Sequence, residues 1–248
     1  MKTIVKAFLA VTASMATLAA CAPVNVLNGI TPSGSFSKTK NVSFGDASRQ
    51  KMDIYIANEP RENSPVIMFV HGGSWDSGSK DIYKFLAEGF TQEGFDVVVP
   101  NYRLYPEVRY PTFIEDNALA VAQTAKRFPN RPIALMGHSA GGYNVLMLGL
   151  VPKYLEAVGV DRCSQIAGIA ALSAPVGVVP LDSEPLITAF PDRFAKDDAP
   201  LNVVDGPAPQ MFLANGQEDT TVYPDNAVAL GKKITERGGA AQVKIYPD

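Results

Sequence analysis

The chain is poor in the residues that hold metals and cross-links. Its 248 residues include two cysteines, Cys21 and Cys163, and two histidines, His71 and His138. So few and so scattered, they give neither a disulfide framework nor a metal-ligand spacing. Charge is also sparse. The 22 Lys and Arg against 25 Asp and Glu leave a formal net charge of −3 with no run of one sign. That excludes the basic stripe of a nucleic-acid binder. No glycine-rich segment has the lysine and spacing of a phosphate loop, and no cofactor is expected. There is no internal repeat and no low-complexity tract. What remains is 46% apolar, which suits one globular domain with a sizeable core.

Long hydrophobic runs are missing too. The nearest is Ala7 to Ala20, broken only by Thr and Ser, which follows Lys2 and Lys6. A positive segment before a short apolar one reads as a targeting leader and is too short for a comfortable membrane span. It ends Leu18-Ala19-Ala20-Cys21, which resembles the lipobox of bacterial lipoproteins. A leader over 1–21 with Cys21 lipidated is therefore expected, placing the protein in the bacterial cell envelope and anchoring it to the membrane. Residues 22–40, rich in Pro, Gly, Ser, Thr and Asn, read as a flexible tether, and 41–248 as the folded domain. Cys163 has no histidine near it in sequence and reads as a bystander.

Within that domain strand and helix patterns alternate. Val42–Phe44 and Met52–Ile56 read as strands, the second alternating in polarity. Val66–Val70, Val97–Val99, Ile133–Met136, Ile166–Leu172 and Met211–Ala214 read as strands buried on both faces. Val243–Tyr246 is a last strand. Helical spacing covers Asp81–Gln92, Phe113–Arg127 and Asp225–Arg237, the last stopping at Gly238-Gly239. The pattern predicts an α/β fold with a mainly parallel central sheet and helices on both faces. In such sheets ligands bind beyond the carboxyl ends of the strands.

Three motifs fall at such ends. Gly137-His138-Ser139-Ala140-Gly141 lies between a strand and an apolar helix. It reads as a nucleophile elbow, a sharp turn that exposes the Ser139 oxygen, with the Ala140 N–H facing the same pocket. Its outer glycines allow strand and helix to pack closely. His71-Gly72-Gly73-Ser74-Trp75 follows the Val66–Val70 strand, and adjacent glycines let backbone N–H groups approach an anion, as an oxyanion loop requires. Asn215 to Val222 follows the Met211–Ala214 strand and offers an acid to orient a base: Asp219 is preferred, with Glu218 as rival.

These stretches, together with Asn101 to Glu107, Tyr110-Pro111 and Asp116, resemble the α/β-hydrolase superfamily. More narrowly they are similar to His-Gly-Gly esterases of the hormone-sensitive-lipase-like and kynurenine-formamidase-like kinds. The resemblance runs from about residue 42 to the end. It implies Ser139 as nucleophile, Asp219 as acid, and the N–H groups of Gly72, Gly73 and Ala140 as oxyanion donors. It also implies that Tyr102, Arg103 and Asp116 are structural. Trp75, Tyr105 and Tyr143 either line the substrate pocket or are core aromatics.

The base is the difficulty. His71 belongs to the oxyanion loop, and His138 precedes the nucleophile on a turn where adjacent side chains diverge. In relatives the histidine follows the last strand, which here ends Ile245-Tyr246-Pro247-Asp248. The expectation is a truncated reading frame without its histidine loop and last helix, and a fragment inactive by itself. For the complete protein the expected reaction is hydrolysis of a small-molecule ester, with short-chain, aryl or carbohydrate esters as candidates. An amidase or formamidase on the same triad, or a non-catalytic surface lipoprotein, is the alternative. Val176 to Pro207, which contains Pro180, Pro185, Pro191 and Pro200, is the candidate lid.

Overall fold

The computed structural model describes residues 26–177, 188–190, 199–206 and 208–247. The expected leader with Cys21, and Pro180, Pro185 and Pro191 of the expected lid, lie outside the described residues.

Eight strands form one sheet: β1 (Phe36–Ser43), β2 (Lys51–Ala57), β3 (Val66–Val70), β4 (Val97–Pro100), β5 (Ile133–His138), β6 (Ile166–Leu172), β7 (Met211–Gly216) and β8 (Ala241–Tyr246). Their spatial order is β1-β2-β4-β3-β5-β6-β7-β8. The β1–β2 and β2–β4 pairs are antiparallel and all the others parallel. The four long helices are α1 (Lys84–Gln92), α2 (Thr112–Arg127), α3 (Ala140–Leu150) and α4 (Asp225–Glu236). Among the described residues no helix is long and apolar enough to cross a membrane.

The strands sort their side chains by parity, as a period of two dictates. Met52, Ile54, Val66, Met68 and Val70 face one side, with Phe113 and Val121 of α2, Leu146 and Leu148 of α3, and Leu230 of α4. Tyr55, Ile67, Phe69, Val97 and Val99 face the other side, with Ala87 of α1. All eleven residues of α3 are buried, as expected of a helix that is apolar all round.

The first strand corrects the expected tether. Phe36 pairs with Ala57 and Lys38 with Tyr55, so 36–40 belong to the sheet. The chain is held even earlier, because the Asn28 side chain donates to the Asp81 carbonyl and Lys84 donates to that of Thr31. On the α1 side, the sheet beyond α1 is left open among the described residues. A groove of about 860 Å3 lies there, floored by Ala134, Met136, Ala170 and Phe212 and edged by Phe90 and Ala241.

Candidate active site

Parallel register brings three strand ends to one place, because Val70 is paired with Gly137, and His138 with Leu172. Ser139, the next residue, takes φ 52° and ψ −121°. A non-glycine residue in that region is strained and persists only where its surroundings force it. Here they do. Its N–H is held by the Leu172 carbonyl at 2.8 Å, and its carbonyl accepts from Tyr143 at 3.0 Å. A side chain on Gly137 would overlap the Gly141 carbonyl, and one on Gly141 would overlap the Val70 carbonyl and stand 2.5 Å from that of His71. Ser139 is the N-cap of α3, so the Ala140 N–H is among those that a helix start leaves without an intrahelical partner.

The His-Gly-Gly loop packs directly on this elbow. A Cβ on Gly72 would lie 2.9 Å from the His138 carbonyl and 3.1 Å from the Ser139 Cβ. Gly73 (φ 121°), Ser74 (φ 49°), Trp75 (φ 60°) and Gly78 (φ 95°) all have positive φ, so the loop is held far from relaxed backbone. Several bonds hold it. The Gly73 carbonyl accepts from the Asp76 and Ser77 N–H groups. Arg49 donates to the carbonyls of Gly78 and Tyr102, and the Tyr102 hydroxyl donates to that of His71. The Gly72 backbone hydrogen-bonds the Tyr83 hydroxyl, offsetting part of the upward push that burial gives this phenol.

His71 is fully buried, stacked on Tyr102 with ring centroids 4.5 Å apart. Its Nδ1 lies 2.8 Å from the Gly72 carbonyl, to which it donates, and its buried Nε2 has no hydrogen-bond partner among the described residues. Burial pulls its pKa down to about 4 against the opposing Gly72 hydrogen bond, so the ring is neutral at pH 7. His138 is exposed. Partial desolvation lowers its pKa, and the nearby charge of Asp219 opposes that.

Asp219 and Glu218 are distinguished by their surroundings. Glu218 is exposed. Asp219 is half-buried, and its Oδ1 accepts from the N–H groups of Thr221 and Val222, each at 2.9 Å. Asn215 closes the same loop by donating to the Val222 carbonyl at 2.7 Å.

Of the three aromatics, Trp75 and Tyr143 are enclosed, with relative exposures of 1% and 0%. They pack edge-to-face with each other and with Phe190, while Tyr105 is half-buried. The Arg103 guanidinium grips the buried Asp116 carboxylate with two nitrogens, and Gln50 donates to the same carboxylate at 2.7 Å. That fastens the loop after β4 to α2. Sequence reasoning passed over Asn144, Arg49 and Tyr83, none of which sits in a recognisable motif. Cys163 is exposed, on a short turn of helix capped by Asp161. Among the described residues no cluster of His, Cys, Asp or Glu could hold a metal.

The sheet order, the strained serine at the end of β5 and the glycine loop beside it define an α/β-hydrolase. Solved structures share the fold. Esterase B from Lactobacillus rhamnosis superposes with a TM-score of 0.78 at 19% identity, covering 95% of this chain and 83% of that one. A truncated carbohydrate esterase from gut microbiota gives 0.74 at 20%, covering 88% and 90%. The BD-FAE family model matches residues 52–234, and the chain belongs to that family. Among curated relatives, "Probable isoprenylcysteine alpha-carbonyl methylesterase ICME" of Oryza sativa subsp. japonica is 31% identical over 84% of this chain and 56% of its own length. The kynurenine formamidase of Danio rerio is 28% identical over 44% and 37%. The chain thus spans about half the length, or less, of these relatives.

Proposed function

We propose that the protein is a serine carboxylic-ester hydrolase. Ser139 attacks the carbonyl of a small ester, and the N–H groups of Gly73 and Ala140, with that of Gly72 shared with Tyr83, receive the oxyanion. The alcohol leaves, and water releases the acyl group from Ser139. Asp219 orients the base. The single observation that carries this reading is Ser139 itself, held at φ 52° by glycines that admit no side chain and in contact with the Gly72 loop. Names among the relatives support ester chemistry: a methylesterase and a versiconal hemiacetal acetate esterase of Aspergillus parasiticus, the latter 30% identical over 60% of this chain.

Neither histidine suits the role of base. His71 is walled in, and no hydrogen bond joins His138 to Ser139. The base is on this reading a histidine outside residues 1–248, and this chain alone is a poor catalyst, since loss of a triad member leaves only what binding and the oxyanion hole supply. The substrates are short-chain, aryl or carbohydrate esters. Relatives named kynurenine formamidase, of Danio rerio and Salmo salar, favour a second reading in which the same triad cleaves a formamide.

The test is hydrolysis of a short-chain nitrophenyl ester and labelling by a fluorophosphonate. Both are measured on the 248-residue chain and on the chain extended by the residues encoded after codon 248. The extended chain should label and turn over at least a hundredfold faster, and Ser139→Ala should abolish labelling in either form. Equal labelling of Ser139→Ala would remove Ser139 as nucleophile. Turnover by the 248-residue chain as fast as by the extended one would place the base within this sequence.

The anchoring proposal stands on Ala19-Ala20-Cys21. Cells fed an alkyne fatty acid should incorporate it into this protein and retain it in the membrane fraction. Cys21→Ser should lose both. Incorporation that survives Cys21→Ser would refute lipidation at that residue.

A further inference from the structure

The oxyanion donors come from two separate stretches of chain, and a rate advantage of a hundredfold or more depends on their mutual placement. A buried hydrogen bond joins the two stretches. The indole Nε1 of Trp75 donates to Oδ1 of Asn144 at 2.9 Å. Trp75 lies two residues after Gly73. Asn144 lies four after Ala140 on α3, so the two occupy one helix face a turn apart, and the Asn144 side chain leans back toward Ala140.

The chemistry of α3 shows that this asparagine is not there for packing. The helix reads Ala-Gly-Gly-Tyr-Asn-Val-Leu-Met-Leu-Gly-Leu and is buried throughout. Asn144 is fully buried, and its Nδ2 has no hydrogen-bond partner among the described residues. A leucine would fill such a position without stranding an amide N–H. Trp75 is equally costly. It is a bulky residue at φ 60°, a conformation that must be imposed from outside. Aromatic packing against Phe113, Tyr143 and Phe190 fixes where the ring lies. Tyr143 belongs to α3 as well, but a ring contact tolerates sliding, whereas the directional bond to Asn144 fixes the indole at one height along the helix that begins at Ala140.

We propose that the buried Trp75–Asn144 hydrogen bond is the element that sets the register between the two halves of the oxyanion hole, making both residues positioning residues for ester hydrolysis. This rests on the ester-hydrolase reading above and adds to it.

Asn144→Leu leaves the indole N–H without its acceptor and keeps the branched shape of the side chain, with methyls in place of the polar atoms; Trp75→Phe leaves the amide oxygen without its donor and keeps an aromatic ring, smaller than the indole. Two readouts are used. Hydrogen–deuterium exchange over residues 71–79 needs no turnover, and in either variant it should speed up about tenfold while β6 to β8 exchange as before. Ester turnover by the active form of the chain should show kcat down ten- to a hundredfold with KM within twofold. The double variant should be no worse in kcat than either single one and should not regain it, although its urea midpoint should recover as the stranded carbonyl oxygen disappears. Unchanged exchange over 71–79, or kcat restored in the double variant, would overturn the proposal. Should the wild-type chain hydrolyse no ester in either form, the ester-hydrolase reading fails, and the exchange experiment still decides whether the bond holds the loop. Trp75→Phe keeps the ring in its cluster and serves if Asn144→Leu does not fold.

Discussion

Gly141→Ala should leave no stably folded protein, even though it adds a single methyl group. That methyl would overlap the carbonyl of Val70 and lie 2.5 Å from that of His71. Both obstacles are backbone, so no rotamer change relieves them. Val70 is fully buried in the centre of the sheet, paired with Gly137. Relief requires α3 to move away from β3, and every residue of α3 is packed. Overpacking at a yielding core site costs about 1–3 kcal/mol. With no yielding atom the cost should exceed about 4 kcal/mol, a large part of a stability of roughly 5–15 kcal/mol. Urea titration of soluble protein checks this. A midpoint within about 0.5 M of wild type would show that the elbow can open, and would undo the claim that its glycines are obligatory. Gly89→Ala is the control: on the exposed face of α1 its added methyl meets nothing within 4 Å, and stability should not fall.

His71 should make the fold acid-sensitive in a defined window. In the folded protein its pKa is pulled down to about 4, whereas in the unfolded chain it is near 6.5. Between these values the unfolded state binds a proton that the folded state refuses, so stability falls as pH falls from about 6.5 to 4 and then levels. The difference amounts to about 3 kcal/mol for this fully buried ring. His71→Gln keeps a donor for the Gly72 carbonyl and has nothing to titrate. Its unfolding free energy should lie below wild type at pH 7.5, and the gap should close by pH 4.5. Parallel pH profiles for the two proteins would show that the ring is hydrated in the fold and sink the argument.

Both effects come from residues legible in the sequence, and the line between legible and hidden is physical. Continuous apolar runs announced β3, β4, β5, β6 and β7; β3 and β4 are buried throughout, while β5, β6 and β7 turn Ala134, Met136, Ala170 and Phe212 to the open groove. Of β1 only the end was expected, at Val42–Phe44; its start was hidden for the opposite reason, because in Phe36–Ser43 only Phe36 is buried, so residues 36–40 read as a polar tether. The helix expected over Asp81–Gln92 begins as a separate turn at Lys80–Ile82, with Ser79 accepting from the Asp81 N–H, and α1 starts at Lys84. Ser139, Gly137 and Gly141 were legible because the elbow can be built in few ways. The aromatic roles were not. Trp75 in a glycine loop at a strand end suggests a pocket wall, but direction depends on φ, and at 60° the ring turns into the core. Asn144 has no motif at all. Its importance comes from a contact with a residue 69 positions away.

The open groove beside α1 has a practical consequence. Its floor of Ala134, Met136, Ala170 and Phe212 is apolar and reachable in the folded state. Solvatochromic dyes such as anilinonaphthalene sulfonate light up on accessible apolar surface, which most folded monomers keep small. This chain should therefore fluoresce with such a dye before it melts, and its signal should start high and fall or stay flat on heating. Dye-based thermal scans would then misreport its unfolding, and circular dichroism or intrinsic fluorescence from the single tryptophan, Trp75, is the observable that follows the fold.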